Sequence, residues 1–374
     1  GTPEGRATDV IKHVSIFFGS KSWMKIGVFC PNWVGDLVMA TPALRSLRTH
    51  YRQSEIIAIL RPNLVPVLDG LSLVDSVLVD ETRGWRTPGA SLRFLGRLQH
   101  ESFDLMVLLT NSFRTAAYAW ASGAKRRVGF EGNLRTGLLT DPVARRPRNV
   151  PSPVLPEYIR LVEAVGCSCE SSSTELAVTI PDENQLMEFW KQTCPKSPPT
   201  RLVCLNPGGA FGAAKHWPSE HFAKLARLLI DELSVSVLVL CGPSEREMAR
   251  EIVRLSGRDS VYTFADVQTS IGLSKAAIRS CDLLVTTDSG PRHFAAPFDR
   301  PVITLFGPTH PAWSETGHPL AVGLQQPVDC GPCQRRICPL GHHACLRDLM
   351  PERVFSVARR LLQAQSGHHQ SRVA

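Results

Sequence analysis

Three short stretches of this chain gather residue types that can move a proton and hold an anion. In Pro31-Asn32-Trp33-Val34-Gly35-Asp36 a glycine permits a tight turn, and an aspartate follows at the start of an amphipathic run. A carboxylate so placed either caps a helix or acts as a general base toward a hydroxyl. In Asn206-Pro207-Gly208-Gly209-Ala210-Phe211-Gly212-Ala213-Ala214-Lys215 a glycine-rich turn brings backbone N–H groups within reach of phosphate oxygens, and Lys215 adds a point charge. The spacing is not that of a Walker loop, and the stretch also reads as an ordinary surface loop with a lysine. In Thr286-Thr287-Asp288-Ser289-Gly290-Pro291-Arg292-His293 a strand is predicted to run into a polar turn and then a helix, with Pro291 in its first turn. A helix end there would favour a diphosphate. His293 would face the same pocket, although a histidine in such a place is also a structural hydrogen-bonder.

The elements that must position these loops follow from the apolar pattern. Strands are predicted at residues 25–30, 56–60, 76–79 and 105–109, with a helix running through about residue 50. Proline-rich breaks occupy residues 150–156 and 195–199. The pattern then restarts, with strands at 202–205, 235–240, 283–286 and 302–306 and helices at 219–233 and 245–255. Alternating strands and helices imply parallel sheets covered on both faces. Two such units in tandem put ligands at the carboxyl ends of the strands, in the cleft between them. The expected division is residues 24–195 and 200–350, with a closing helix over 351–364 and residues 1–23 as an extension outside the fold.

A chain of 374 residues that is 43% hydrophobic and 20% charged is long enough for two self-sufficient domains. No apolar run approaches the roughly 18 to 20 residues that span a bilayer, and no signal-peptide pattern opens the sequence. The net charge of +8 is uneven: residues 111–149 hold eight basic residues against two acids. That segment reads either as a solvated basic face or as a patch for an anionic partner.

Seven of the eleven cysteines are scattered, several in apolar strand-like runs, as buried thiols are in a reducing cytosol. The other four form Cys330-x2-Cys333-x4-Cys338-x6-Cys345, with His342 and His343 inside the run. Four thiols in this span would hold a structural zinc ion tetrahedrally. The paired C-x2-C spacing occurs only once, so local disulfides and free thiols are the competing readings.

Taken together the loops resemble glycosyltransferase family 9, the ADP-heptose:lipopolysaccharide heptosyltransferases, and are most similar to its heptosyltransferase II members. The likeness runs in order from about residue 24 to residue 362. Besides the three loops it rests on Asn111-Ser112-Phe113-Arg114, Gly129-Phe130, Gly137-Leu138-Leu139, Trp217-Pro218, Ala295-Ala296 and Leu305-Phe306-Gly307-Pro308-Thr309. The resemblance implies a GT-B fold, two Rossmann-like domains facing across a cleft. It implies inverting, metal-independent transfer of heptose from ADP-L-glycero-D-manno-heptose to the lipid-A-bearing inner core. Asp36 would be the catalytic base. Gly209, Lys215, Thr287, Asp288, Ser289, Gly290 and His293 would bind the donor, with Glu245 as the acid for the ribose. Asn111, Arg114 and Arg135 would meet the acceptor. The enzyme would be cytoplasmic, touching the inner membrane transiently to reach an anionic lipid. Pro297 departs from the family pattern and leaves the local helix length open.

Two other classes compete. Nucleotide-sugar epimerases share this architecture, although the Trp33-Val34-Gly35-Asp36 loop favours transfer. A zinc-stabilised nucleic-acid-binding protein would account for the basic charge and the cysteines, but the basic residues lack interleaved aromatics and no nucleic-acid motif is present. A dehydrogenase is disfavoured because no G-x-G-x-x-G follows the first strand.

Overall fold

The computed structural model of the protein describes residues 24–82, 88–147, 150–194, 196–209 and 212–370. The expected extension at 1–23, Ala210 and Phe211 of the glycine-rich loop, Arg148 of the basic segment and Pro195 of the second break lie outside the described residues.

Among the described residues two six-stranded sheets form, and every strand pair is parallel. The first contains β1 (Lys25–Phe29), β2 (Glu55–Leu60), β3 (Ser76–Val79), β4 (Leu105–Leu108), β5 (Arg126–Phe130) and β6 (Asp141–Val143), in the order β3-β2-β1-β4-β5-β6. The second contains β7 (Leu202–Asn206), β8 (Ser236–Val239), β9 (Val261–Thr263), β10 (Leu283–Thr287), β11 (Val302–Phe306) and β12 (Ala321–Gln325), in the order β12-β11-β10-β7-β8-β9. Read from the other edge, the second order repeats the first. Each sheet reverses direction beside its opening strand, between β1 and β4 and between β7 and β10. Ligand crevices open at such points, and the loops after β1, β7 and β10 are the three stretches singled out in the sequence. The central strands β4, β7, β10 and β11 are buried throughout, as helices on both faces of a parallel sheet require.

Three boundaries differ from expectation. The predicted helix after β1 is two helices, Val34–Met39 and Thr41–His50, because Pro42 lacks an N–H and starts a new first turn. The helix Ile180–Thr193, closed by a Thr179/Asp182 capping box, packs against helix Ile271–Ser280 of the second unit. Its Phe189 meets Phe264 at 4.8 Å between ring centroids, and Trp190 meets Tyr262 at 5.4 Å. The second unit therefore begins before this helix, not after residue 195. The last helix, Pro351–Gln370, outruns the expected 364 and lies on helix Ser219–Leu233. No helix among the described residues is long and apolar enough to cross a membrane.

Candidate active site

The two units enclose a cleft of about 890 Å³ lined from both sides. From the first come Trp33, Gly35 and Asp36; from the second come Gly209, Lys215, Glu245, Asp288, Ser289, Gly290 and His293. The seam between them is close. A Cβ on Gly35 would lie 2.5 Å from His293 Cδ2, and one on Gly290 would lie 2.9 Å from Val34 Cβ. Only hydrogen at these two positions lets the loop after β1 seat on the turn after β10.

Asp36 sits in the first turn of helix Val34–Met39, but the N-cap is Trp33 and no side chain caps that helix end. The capping role for Asp36 is thereby excluded. No hydrogen bond to its carboxylate is found among the described residues. Burial, and then repulsion from Asp288, push its carboxyl up to about 6, against the pull of Lys215. The buried Tyr158 lies within the same field, its phenol pushed well up by burial and the Asp36 charge.

Across the cleft, Asp288 is the hub of a buried network. Lys215 Nζ donates to its Oδ2 at 2.7 Å and to its carbonyl at 2.8 Å. Thr309 Oγ1 donates to Oδ2 at 2.7 Å, and Arg292 Nη1 and Ser314 Oγ each reach Oδ1 at 3.3 Å. Burial alone would raise the Asp288 carboxyl, but Lys215 and Arg292 overcome it and hold it down at about 2. Two cations against one anion leave this cluster with a surplus positive charge beside Asp36. Asn206, at the end of β7, ties the loops together by donating to Thr286 Oγ1 at 2.9 Å and Ser289 Oγ at 2.8 Å. Trp217, almost fully buried, anchors the Lys215 loop through Nε1 to the carbonyl of Leu349 at 2.8 Å.

The turn after β10 corrects one expectation. Gly290–Phe294 is a five-residue 3₁₀ turn followed by a second at Ala296–Phe298, where Pro297 restarts the chain. The positive field here therefore comes from side chains, and a full helix dipole is not available. His293 lines the same cleft. Burial, then Arg292 and Lys215, push its imidazole down to about 3 despite Asp288, so it enters the cleft neutral. Arg292, Thr309 and Asn206 were not among the expected site residues. The signal for Arg292 was its place four residues past Asp288, one turn along.

Glu245 lines the cleft, but its carboxylate closes the turn after β8: Oε2 accepts the Gly242 N–H at 2.9 Å and Oε1 accepts from Ser244 Oγ at 2.8 Å. The three expected acceptor residues lie outside the cleft. Arg135 is fully buried, donating to the carbonyls of Phe130 at 2.7 Å and Thr110 at 2.6 Å, and to Asn111 Oδ1 at 3.3 Å. It holds the β4 and β5 ends together and is not free to meet a ligand. Arg114 is committed to Asp80 and Thr82. The exposed side chain of Asn111 belongs to the same local network. Within the basic segment Lys125 also pairs with Asp104, Arg126 with Asp141 and Arg146 with Glu157.

Cys330, Cys333, Cys338 and Cys345 are free thiols on the loop after β12. Among the described residues no three metal-binding side chains are gathered into a ligand set.

The sequence that builds these two Rossmann-like units matches a known family. The glycosyltransferase family 9 (heptosyltransferase) profile covers residues 91–344. The chain belongs to glycosyltransferase family 9. It is 28% identical to lipopolysaccharide heptosyltransferase 2 of Escherichia coli over 91% of this chain and 99% of that protein. It is 27% identical to lipooligosaccharide heptosyltransferase 2 of Campylobacter jejuni, with the same shares covered. The solved structure of the E. coli ADP-heptose lps heptosyltransferase II superposes with a TM-score of 0.75 at 27% identity, over 92% of this chain and 100% of that one. The chain is thus a glycosyltransferase of the heptosyltransferase type with a GT-B fold. Membership of a transferase family also decides against the epimerase and nucleic-acid-binding readings.

Proposed function

We propose that this family 9 enzyme transfers heptose from ADP-heptose to a sugar of the lipopolysaccharide inner core, with Asp36 as general base. The observation that carries the reading is the position of Asp36 across one cleft from the Lys215–Asp288–Arg292 cluster. Asp36 takes the proton from the acceptor hydroxyl as that oxygen attacks the anomeric carbon. The bond from that carbon to the diphosphate breaks on the opposite face, and the configuration inverts. Charge grows on the leaving ADP, and Lys215 at the cleft wall meets it where it develops. Gly209 and Ser289 line the path of the diphosphate. Glu245 faces the nucleotide end of the cleft, where its remaining lone pairs suit ribose hydroxyls. His293 offers a neutral hydrogen bond near the reacting sugar.

Asp288 acts through Lys215. Its carboxylate, through the 2.7 Å bond from Nζ, keeps the lysine aimed along the cleft wall. None of these steps calls on a metal ion. The acceptor enters from the first unit past the exposed Trp33, and the enzyme works at the cytoplasmic face of the membrane that holds its lipid acceptor.

The test is a transfer assay with ADP-heptose and heptose-deficient lipopolysaccharide, scored by product mass. A gain of one heptose, with release of one ADP, supports the reading. Donor consumed to an isomeric nucleotide sugar, with the acceptor unchanged, overturns it. Thermal stabilisation by ADP above UDP and GDP is expected alongside.

A further inference from the structure

The base needs an acceptor sugar held against it, yet Asn111, Arg114 and Arg135 are engaged in local bonds outside the cleft. The turn after β11 brings other side chains to it. Thr309, His310, Trp313 and Ser314 all line the cleft. Residues Pro311–Ser314 form a 3₁₀ turn whose two flanks are pinned to one carboxylate. Thr309 Oγ1 donates to Asp288 Oδ2 at 2.7 Å, and Ser314 Oγ donates to Oδ1 at 3.3 Å. The Val154 N–H, at the start of helix Leu155–Glu163, donates to the Trp313 carbonyl at 3.2 Å. That helix packs against helix Val34–Met39, which carries Asp36. The turn is therefore fixed on both sides: to the cationic cluster of the second unit, and to the element beside the base in the first.

Its place in the sheet separates it from the nucleotide end. Glu245 and Gly242 follow β8, this turn follows β11, and β10 and β7 lie between. Three strand spacings put the two flanks about 14 Å apart. With adenosine on the β8 side and the diphosphate at Lys215, the β11 side of the cleft is left for sugar. Two tryptophans border that side. Trp33, 46% exposed, is the N-cap of the Asp36 helix, and the half-buried Trp313 comes from the other unit. An indole ring suits a pyranose, which presents C–H bonds on its face and hydroxyls at its edge. His310 adds a directed donor. Its Nδ1 accepts the Ala312 N–H at 3.2 Å, which leaves the ring proton on Nε2. Among the described residues no hydrogen-bond partner is found for Nε2 or for the Trp313 indole N–H. An aromatic wall with a few fixed donors is the form a selective site takes.

We propose that His310 and Trp313, with Trp33, form the acceptor-sugar subsite and decide which pyranose brings its hydroxyl to Asp36. The inference rests on the transfer reading and adds to it the residues that choose the acceptor. Trp313 packs on the apolar face of the ring, and His310 Nε2 donates to one of its oxygens. Because Thr309 and Ser314 bracket this turn on Asp288, the carboxylate that aims Lys215 at the donor also fixes the acceptor's seat. Both substrates are thereby registered against one group.

The test is steady-state transfer to heptose-deficient lipopolysaccharide by His310→Asn, His310→Ala, Trp313→Leu and Trp313→Phe. Asparagine still caps the Ala312 N–H but lacks the Nε2 donor. Acceptor KM should rise about threefold to tenfold in both His310 variants and about tenfold or more in Trp313→Leu, with donor KM within about twofold of wild type. Trp313→Phe should recover most of the acceptor affinity. A wild-type acceptor KM in His310→Asn would mean that the ring only caps its turn, and would overturn the proposal. So would a rise confined to the donor KM, because the transferred sugar would then occupy the turn. Calorimetric titration with core oligosaccharide released from heptose-deficient lipopolysaccharide separates the subsite from the transfer reading. Binding weakened by His310→Asn and Trp313→Leu supports the subsite even where no heptose moves. Normal transfer with unchanged oligosaccharide affinity in these variants sinks the subsite alone.

Discussion

Gly35 and His293 meet across the two halves of the molecule, with room for a hydrogen on the glycine and nothing larger: a Cβ would lie 2.5 Å from the imidazole. That contact fixes how far Asp36, the next residue, stands from the cluster around Asp288. Gly35→Ala should therefore displace either the imidazole or the helix Val34–Met39. We expect transfer to fall by about 10²-fold, because a shift of about 1 Å at the reacting groups has that effect. Affinity for ADP, measured by calorimetry, should change much less.

The pH profile should report Asp36. With its carboxyl at about 6, the base form dominates above that value and is lost below it. kcat/KM should fall about tenfold per pH unit on the acid side of an apparent value near 6. A profile flat down to about pH 5 would contradict this assignment.

Stability moves the opposite way. A carboxyl raised in the folded state favours the protonated form, so its stabilising contribution is present at low pH and lost as pH rises through about 6. Asp36→Asn should raise Tm at about pH 8, by an amount corresponding to at most ~3 kcal/mol, and leave it nearly unchanged at about pH 4. An inactive but more stable variant is the expected signature of a strained catalytic group.

Lys215→Met should harm binding and chemistry together. It removes the cation at the cleft wall and leaves Asp288 with Arg292 as its remaining charged partner in a buried place. The expected result is a raised KM for the donor, a lowered kcat, and a loss of ~3 kcal/mol or more in stability by denaturant titration.

Arg135→Leu separates structure from recognition. Its guanidinium holds the carbonyls of Phe130 and Thr110, which the leucine would leave unpaired. Stability should drop by about 2–4 kcal/mol, while the acceptor KM of the folded fraction stays within about twofold. A selective rise in acceptor KM would restore Arg135 to the acceptor site.

The fold was legible because β1, β4, β7, β10 and β11 are short apolar runs bounded by turn residues, which is how a strand covered on both faces reads. The edge strands β6 and β9 were not. β6 (Asp141–Val143) contains a proline and an aspartate, and β9 (Val261–Thr263) is three residues long, so neither stands out from a loop. Helix Ile180–Thr193 was harder to place, because its packing on Phe264 and Tyr262 is a long-range fact that no local pattern encodes.

The site divides in the same way. Asp36, Lys215, Asp288 and His293 follow strands at the two switch points, so position in the fold brings them together. What one residue does to another was hidden. His293 is neutral because it is buried and because Arg292 and Lys215 crowd it, and Arg135 is structural because it is buried. A basic residue in a polar stretch of sequence shows neither.

The most direct test of the account is Asp36→Asn, which keeps the shape of the side chain and removes its basicity. Single-turnover transfer should fall by about 10³-fold or more while ADP binds within about twofold of the wild-type affinity. Turnover within about tenfold of wild type would contradict the account, and so would loss of ADP affinity in parallel with rate.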